Sequence, residues 1–226
     1  MPSDSATALE PLEPRATLAH TTADALRERI LSGHFAPGER LVEAEIARQL
    51  GISRGPVREA MAKLREEALV RDEPHRGWFV SELTADDIRE IYELRSAIES
   101  RAARLIIERD DAAAFAELGA LLDRLREAAK ADDRGRFAQL DYELHETLTR
   151  VSGNRRLHRV FVNQAGFLRT LLRLEITTQY ESLDGILSEH EHLLKEIQSR
   201  DRARAEAACE LHLEQAGERV TRMLAK

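Results

Sequence analysis

The sequence predicts a mainly α-helical protein with short, closely spaced elements in its first third and a C-terminal all-α antiparallel helical bundle. The composition is rich in Ala, Leu, Glu and Arg and holds only 4% aromatic residues, which favours helix over sheet. Up to about Val80 the apolar pattern is interrupted by turn residues, whereas long helical periods run from about Asp86. A length of 226 residues allows one or two domains.

The pattern divides the chain into four parts: a flexible tail at 1–17, a compact domain at 18–80, a linker at 81–85 and a helical domain at 86–226. The tail lacks the basic and apolar regions of a secretion signal, and no apolar run approaches the ~18 residues that span a bilayer. The single cysteine, Cys209, suits a reducing compartment. We therefore expect a cytoplasmic protein without membrane partners.

The formal net charge of −7 is unevenly distributed along the chain. It amounts to −3 over residues 1–14, +1 over residues 15–80 and −5 over residues 81–226. An acidic body with a less acidic N-terminal domain is compatible with DNA binding in that domain, although the charge alone does not require it.

The N-terminal domain reads as three helices followed by a hairpin. "TADALRERILSG" predicts a helix that stops at Gly33, and "FAPGERL" contains a Pro-Gly turn. "VEAEIARQL" and "RGPVREAMAKLREEALV" predict two helices around "GIS", with Ser53 as N-cap and Pro56 in the first turn. "LVRDE" and "WFVSEL" flank a turn at "PHRG". This layout is typical of a winged helix-turn-helix.

The third helix carries candidate DNA contacts near its N-terminus. Arg54 and Arg58 lie one turn apart on its exposed side, where arginine can bind guanine or phosphate. Ser53 and the helix N-terminus can take a phosphate, and His75 and Arg76 in the wing can reach the DNA backbone or the minor groove. Any one arginine could equally belong to a solvated helix face. The agreement of turn, cap, wing and basic face favours DNA binding.

The C-terminal domain is expected to contain six helices with buried polar side chains, and it shows no phosphate loop, nucleophile elbow or CxxC. Asp141 and His145 lie one turn apart on the inward face of one helix, within "DYELH". Further inward polar groups are His190, His212 and, one turn before Glu99, Arg95. The predicted helices are 86–107, 111–130, 133–151, 155–178, 182–199 and 202–224.

Buried charges and imidazoles must bind one another or a ligand, because an unpaired buried charge costs several kcal/mol. One inward histidine is most often a core residue bonded to a carbonyl, and an Asp–His pair can be a private hydrogen bond. Three inward histidines and an aspartate on three helices instead suit Zn²⁺, Ni²⁺, Co²⁺ or Mn²⁺. The pattern therefore predicts a divalent metal site.

The stretch "LRERILSGHFAPGERLVEAEIARQLGISRGPVREAMAKLREEALV" resembles the N-terminal domain of the GntR family of bacterial transcription regulators. "PGERL" and "LGISRGPVREAM" are the most specific pieces of this resemblance. The resemblance implies that Arg54 and Arg58 are the main contacts to double-stranded operator DNA. It also implies that Ser53, Gly55 and the wing glycine Gly77 lie close to the DNA backbone.

Residues 86–226 resemble the FCD-type, all-helical effector domain of the FadR-like branch, in its six-helix, metal-containing (VanR-like) version. The matching stretches are "YELRSAIESRAARL", "DYELH", "SEHEHLLKEI" and "ACELHLEQA". The resemblance implies a homodimer and a small carboxylate effector bound at Arg95. Gln164, inward on its predicted helix, is a further candidate for the effector. The implied metal, zinc before Ni, Mn or Co, has the ligands Asp141, His145, His190 and His212.

A ligand-responsive regulator, most simply a repressor, is thus the favoured interpretation, and two alternatives remain. The metal itself can be the signal, with no organic effector. A metal-bound water can also make the bundle a hydrolase. The hydrolase lacks a general acid or base, because Glu99 is the only other inward acid and is placed to pair with Arg95.

Overall fold

The computed structural model describes residues 18–67, 69–81, 84–179 and 182–224. The predicted tail at 1–17, residues 82–83 of the predicted linker and the last two residues of the helical domain lie outside the described residues. Among the helices of the described part, none is long and apolar enough to cross a membrane.

The N-terminal domain is a winged helix-turn-helix, as the sequence predicts. β2 and β3 pair antiparallel, with Glu73 opposite Gly77, and form the expected hairpin. A two-residue strand, β1, was not predicted because it lies inside the stretch read as a turn, and it pairs with the other side of β3. The elements are α1 Leu18–Leu31, β1 Arg40–Leu41, α2 Glu43–Leu50, α3 Arg54–Glu66, β2 Val70–Glu73 and β3 Gly77–Val80.

The turn between α2 and α3 fixes the direction of α3. Gly51 adopts φ +66° and its N–H bonds to the carbonyls of the last turn of α2, a left-handed ending that glycine allows at low cost. Ser53 occupies the predicted N-cap with an extended backbone, but its side chain makes no capping hydrogen bond. Its hydroxyl is therefore left at the exposed start of α3.

The C-terminal domain contains seven described helices where the sequence predicted six. The predicted helix 155–178 is wrong as one element, because the chain breaks at Gln164, whose N–H bonds to the carbonyl of Phe161 in a tight turn. Asn163 and Gly166 flank this position and favour helix weakly. The helices are α4 Ala85–Arg109, α5 Ala112–Lys130, α6 Arg134–Val151, α7 Arg155–Asn163, α8 Ala165–Gln179, α9 Asp184–Gln198 and α10 Arg202–Leu224.

Two apolar clusters form the core. One joins α5, α6 and α9 with the C-terminal half of α4, through residues such as Ile106 and Leu144. The other runs from the N-terminal domain through α4 to α8 and α10, and it includes Leu26, Tyr92 and Leu171. The polar residues of α4, α6, α9 and α10 that the sequence singled out are buried on the inner faces of these helices.

Candidate metal centre and nucleic-acid interface

The structure brings together the three histidines that the sequence places on inward faces. His145 of α6, His190 of α9 and His212 of α10 are 1%, 0% and 5% exposed. Each offers a ring nitrogen, and these nitrogens all lie within 4.8 Å of one another. A buried group of this size and composition is suited to a metal ion.

In two of these rings, a contact made by Nδ1 fixes the orientation of the ring. Nδ1 of His190 lies 2.8 Å from the carbonyl oxygen of Ile186, one turn earlier, and can only donate to it. Nδ1 of His145 contacts Oε2 of Glu99 across the interface between α4 and α6. In both rings Nε2 is left as the ligand atom, the arrangement common in metal-binding histidines.

The rings of His212 and His145 point their Nε2 atoms at each other. The two Nε2 atoms are 3.3 Å apart, and two lone pairs at this distance need a proton or a cation between them. Burial and the neighbouring positive groups lower the pKa of His212 well below its usual value. The ring is therefore neutral near pH 7, the form in which histidine binds metal.

Asp141 stands beside this triad rather than within it. One of its oxygens lies 2.6 Å from Nε2 of His190, without the alignment of a hydrogen bond. Among the described residues its other oxygen has no hydrogen-bond partner. Burial raises the pKa of Asp141, but the neighbouring His190, His145 and Arg95 together outweigh burial and lower the pKa, so the carboxylate is charged. The predicted ligand set is thus three converging histidines with an adjacent aspartate.

Arg95 and Glu99 connect to the triad. Arg95 is 2% exposed, and its Nε donates to Oε1 of Glu99 at 2.9 Å. Burial raises the pKa of Glu99, yet His145 and Arg95 together lower it, so this carboxylate is ionised. Nη2 of Arg95 and the hydroxyl of Tyr92 are buried and, within the described part of the chain, unpartnered. These two donors lie beside a carboxylate–histidine pair and can serve a further ligand.

The structure places Gln164 elsewhere, so its prediction as an effector residue loses its geometric basis. Because the helix breaks at this residue, Gln164 caps α7 instead of pointing into the bundle. It is half-buried and lines a cleft between α3, α4 and α8, with residues such as Glu67 and Asp87. That cleft contains neither Arg95 nor any of the three histidines.

The N-terminal half of α3 exposes the predicted DNA-contacting side chains. Arg54 is exposed, and so is the side chain of Arg58, at 69%. At Gly55 a Cβ would meet nothing within 4 Å, so the helix surface there is open to a partner. The guanidinium group of Arg58 is held by Glu43, because its Nε and Nη2 donate to the Glu43 carboxylate at 3.2 and 3.1 Å.

The wing lies next to this helix and forms a groove of about 450 Å³ with it. His75 and Gly77 adopt φ +64° and +92° in the tight turn, and both line the groove. Arg76 is exposed but bonds to Glu73 and stacks 5.0 Å from the ring of Phe79.

Arg40 and Glu43 are among the residues of this groove that sequence reasoning missed. Arg40 belongs to the unpredicted strand β1, and Glu43 stands at the first position of α2, where an acid is ordinary. Neither position carries a periodic signal, so only the packing of the wing on α2 and α3 reveals them.

Comparisons with known proteins agree with this architecture. Residues 18–80 match the bacterial regulatory proteins of the gntR family, and residues 90–215 match the FCD domain. The transcriptional regulator YdhC of Bacillus subtilis is 32% identical over 184 residues, covering 80% of each chain. The gluconate operon transcriptional repressor of the same organism is 31% identical over 182 residues, covering 79% of this chain and 74% of the repressor.

Among solved structures, Escherichia coli McbR/YncC shares the fold with a TM-score of 0.70 at 21% identity, over 92% of this chain and 99% of that chain. The two domains, their order and the regulatory relatives lead to one assignment. The chain belongs to the GntR family of bacterial transcriptional regulators, as a DNA-binding regulator with an FCD domain and not an enzyme.

Proposed function

We propose that this chain is a homodimeric repressor that binds operator DNA and responds to a small organic acid bound beside a divalent metal ion. The metal ligands are His145, His190 and His212, with Asp141 completing the set. One observation carries the proposal: three buried imidazole nitrogens lie within 4.8 Å of one another, and in two of the rings the Nδ1 contact leaves Nε2 as the ligand.

The donor set fits zinc best among common ions. Neutral imidazoles with one carboxylate suit Zn²⁺, and also Ni²⁺, Co²⁺ or Mn²⁺. The unpartnered atoms of Asp141, His190 and His212 are buried, so without a shared cation their burial would be costly. When bound, the ion supplies Lewis-acid attraction for a carboxylate oxygen.

The effector is a small carboxylate because Arg95 offers a buried donor that the protein does not use. A carboxylate that accepts from Nη2 of Arg95 forms a charge-assisted hydrogen bond in a dry site. The hydroxyl of Tyr92 can donate to the same molecule. A regulator that senses only metal would leave both donors unpaired, so these groups favour the organic effector.

The DNA contacts are those of the recognition helix and the wing. Arg54 and Arg58 are exposed on one side of α3, and Ser53 and Gly55 lie at its N-terminus. His75, Arg76 and Gly77 belong to the wing turn. Two copies of this surface in a dimer read two half-sites at a fixed spacing. One relative is named as a gluconate operon transcriptional repressor, which supports a repressor over an activator.

The signal has a physical route between the domains. α4 carries Arg95 and starts directly after the connection to the wing. α8 packs on α1 through the shared apolar cluster, and Arg173 of α8 lies 2.5 Å from Glu28 of α1. A carboxylate that draws α4 toward the histidines therefore shifts the N-terminal domains and weakens two-site DNA binding.

Metal analysis of protein purified without chelator or added metal tests the site. We expect about one equivalent per chain, as four ligands around one position imply. The double variant Asp141→Ala/His190→Ala should lose the metal. The matched control Asp123→Ala/His192→Ala removes the same residue types from side chains that are 70% and 56% exposed, and it should keep the metal.

The same preparations then report on the effector. Small carboxylates should raise the unfolding temperature of the metal-loaded protein and lower its affinity for its promoter DNA. The absence of metal from the wild-type protein would refute the metal-linked response and leave the DNA-binding assignment alone. Metal that binds reversibly and itself changes DNA affinity, with no carboxylate effect, would favour the metal sensor.

A further inference from the structure

Glu43 makes hydrogen bonds that join α2, α3 and β3, the elements around the proposed DNA-binding groove. It lies at the start of α2, and its carboxylate accepts from Nε and Nη2 of Arg58 on α3 at 3.2 and 3.1 Å. It also accepts from Nε1 of Trp78 on β3 at 3.0 Å. The side chain of Glu43 is 20% exposed, whereas that of Arg58 is 69% exposed.

This two-point contact fixes the plane of the guanidinium group. Arginine has five N–H donors, and Glu43 engages one edge of the fork. The side chain of Arg58 is 69% exposed and Arg54, one turn earlier on α3, is exposed too, so the donors that Glu43 does not engage are open to a partner. A fork oriented before binding loses less conformational freedom when it meets a planar acceptor pair.

The contact also changes what kind of partner Arg58 prefers. A free arginine gains affinity for any phosphate, because it releases a counterion from the DNA. The negative charge of Glu43 offsets that sequence-independent attraction. A bidentate hydrogen bond to the O6 and N7 atoms of guanine depends on geometry more than on net charge.

We propose that Glu43 is a positioning residue that makes Arg58 a reader of base edges instead of a phosphate clamp. Sequence discrimination by this protein then depends on an acidic residue that touches no DNA. The inference rests on the proposed role of α3 in operator binding.

The variant Glu43→Gln tests this directly, because glutamine keeps the shape and can still accept from Trp78. Two duplexes of equal length serve as probes, one selected from a random library by the wild-type protein and one not selected. For Glu43→Gln we expect tighter binding to the unselected duplex and a salt dependence steeper by about 0.9 per recognition helix. Discrimination between the duplexes should fall about tenfold, within the range of one arginine–guanine contact.

Two further variants separate positioning from general effects. Glu45→Gln makes the same charge change on α2, where the carboxylate binds Arg48 at 3.0 and 2.5 Å, and it should leave discrimination unchanged. In an Arg58→Ala background, Glu43→Gln should have no further effect on discrimination, since its action passes through Arg58. Circular dichroism of each variant checks that the protein is folded.

The inference would be overturned if Glu43→Gln discriminated between the two duplexes as well as the wild type does. It would also be overturned if Glu43→Gln reduced discrimination by the same factor in the Arg58→Ala background as in the wild type. An equal loss in Glu45→Gln would also overturn it, because the effect would then be one of charge alone. Failure of the wild-type protein to select any sequence would instead overturn the proposed operator binding.

Discussion

At the scale of single residues, Glu99 connects two other buried polar groups of the helical domain, Arg95 and His145. Its carboxylate accepts from Arg95 and contacts His145, and all three side chains are almost fully buried. A buried charge is tolerated when its neighbours compensate it, so these groups depend on one another. Glu99 therefore sets both the ring orientation of His145 and the position of Arg95.

Replacement of this carboxylate should weaken the proposed metal site without removing a ligand. For Glu99→Gln we expect metal affinity to fall about 10- to 100-fold, because outer partners orient ligating histidines. Competition with a chromogenic chelator measures the change. The control Glu108→Gln removes a carboxylate that binds Arg104 at the surface at 2.9 Å, and its metal affinity should match the wild type. Equal affinity in both variants would contradict the role of Glu99.

The inward faces could be predicted from the sequence, but the contacts between helices could not. The burial of Asp141, His190 and His212 follows from the helical period alone, a local property of each segment. The contact between Glu99 and His145 joins residues 46 positions apart and depends on how α4 packs on α6. No periodic pattern contains that information.

At the scale of elements, the start of α4 is defined by a capping box. The Thr84 hydroxyl accepts from the N–H of Asp87 at 3.1 Å, and the Asp87 carboxylate accepts from the Thr84 N–H at 2.8 Å. Hydrogen bonds from the Thr84 hydroxyl and N–H lower the pKa of Asp87. The folded state thus favours the ionised carboxylate at the N-terminus of the helix that carries Arg95.

This cap should give a pH-dependent contribution to stability. Because the folded pKa of Asp87 lies below its unfolded value, the contribution is complete above the unfolded pKa and is lost as pH falls through the folded pKa. Asp87→Asn should cost about 0.3–1 kcal/mol near pH 7 and nothing below both pKa values. Urea unfolding of variant and wild type across the acid range measures it. A cost that does not change with pH would contradict this account.

The break between α7 and α8 shows where element prediction fails. The apolar period continues through residues 155–178, so the sequence looks like one helix, while the chain turns at Gln164. Weak helix formers near the break were the only local signal. The same error led to the prediction that Gln164 points into the bundle, because a helical projection holds only while the helix is continuous.

At the scale of the whole molecule, one apolar cluster spans both domains. Leu26 and Ile30 of α1 belong to the same cluster as Phe167 and Leu171 of α8. Leu171 is fully buried there, at 0% exposure. An apolar seam of this kind couples the stability of the two domains more strongly than surface charges do.

Truncation of this seam should therefore lower the stability of the entire chain. We expect Leu171→Ala to cost about 2–5 kcal/mol, the range for buried leucine. Fluorescence of Trp78, the single tryptophan, reports on the wing, and circular dichroism reports mainly on the helical domain. The two urea transitions should coincide and shift together.

A surface variant provides the comparison. Arg173→Ala removes an ion pair with Glu28 whose side chains are 45% and 55% exposed, so its cost should be about 0–1 kcal/mol. Separate transitions for Trp78 and the helices, or a larger cost for Arg173→Ala than for Leu171→Ala, would contradict the coupled seam.

The three-stranded sheet of the N-terminal domain has a consequence for regulation. β3 lies between β1 and β2, and Nε1 of Trp78 on β3 donates to Glu43 of α2, so the central strand of the wing sheet is tied to α2. Under the proposed function, a movement of the helical domain displaces the wing and α2 together and leaves their relative geometry unchanged. On the same proposal, ligand occupancy changes the affinity of the protein for its promoters, while the ranking of preferred DNA sequences stays the same.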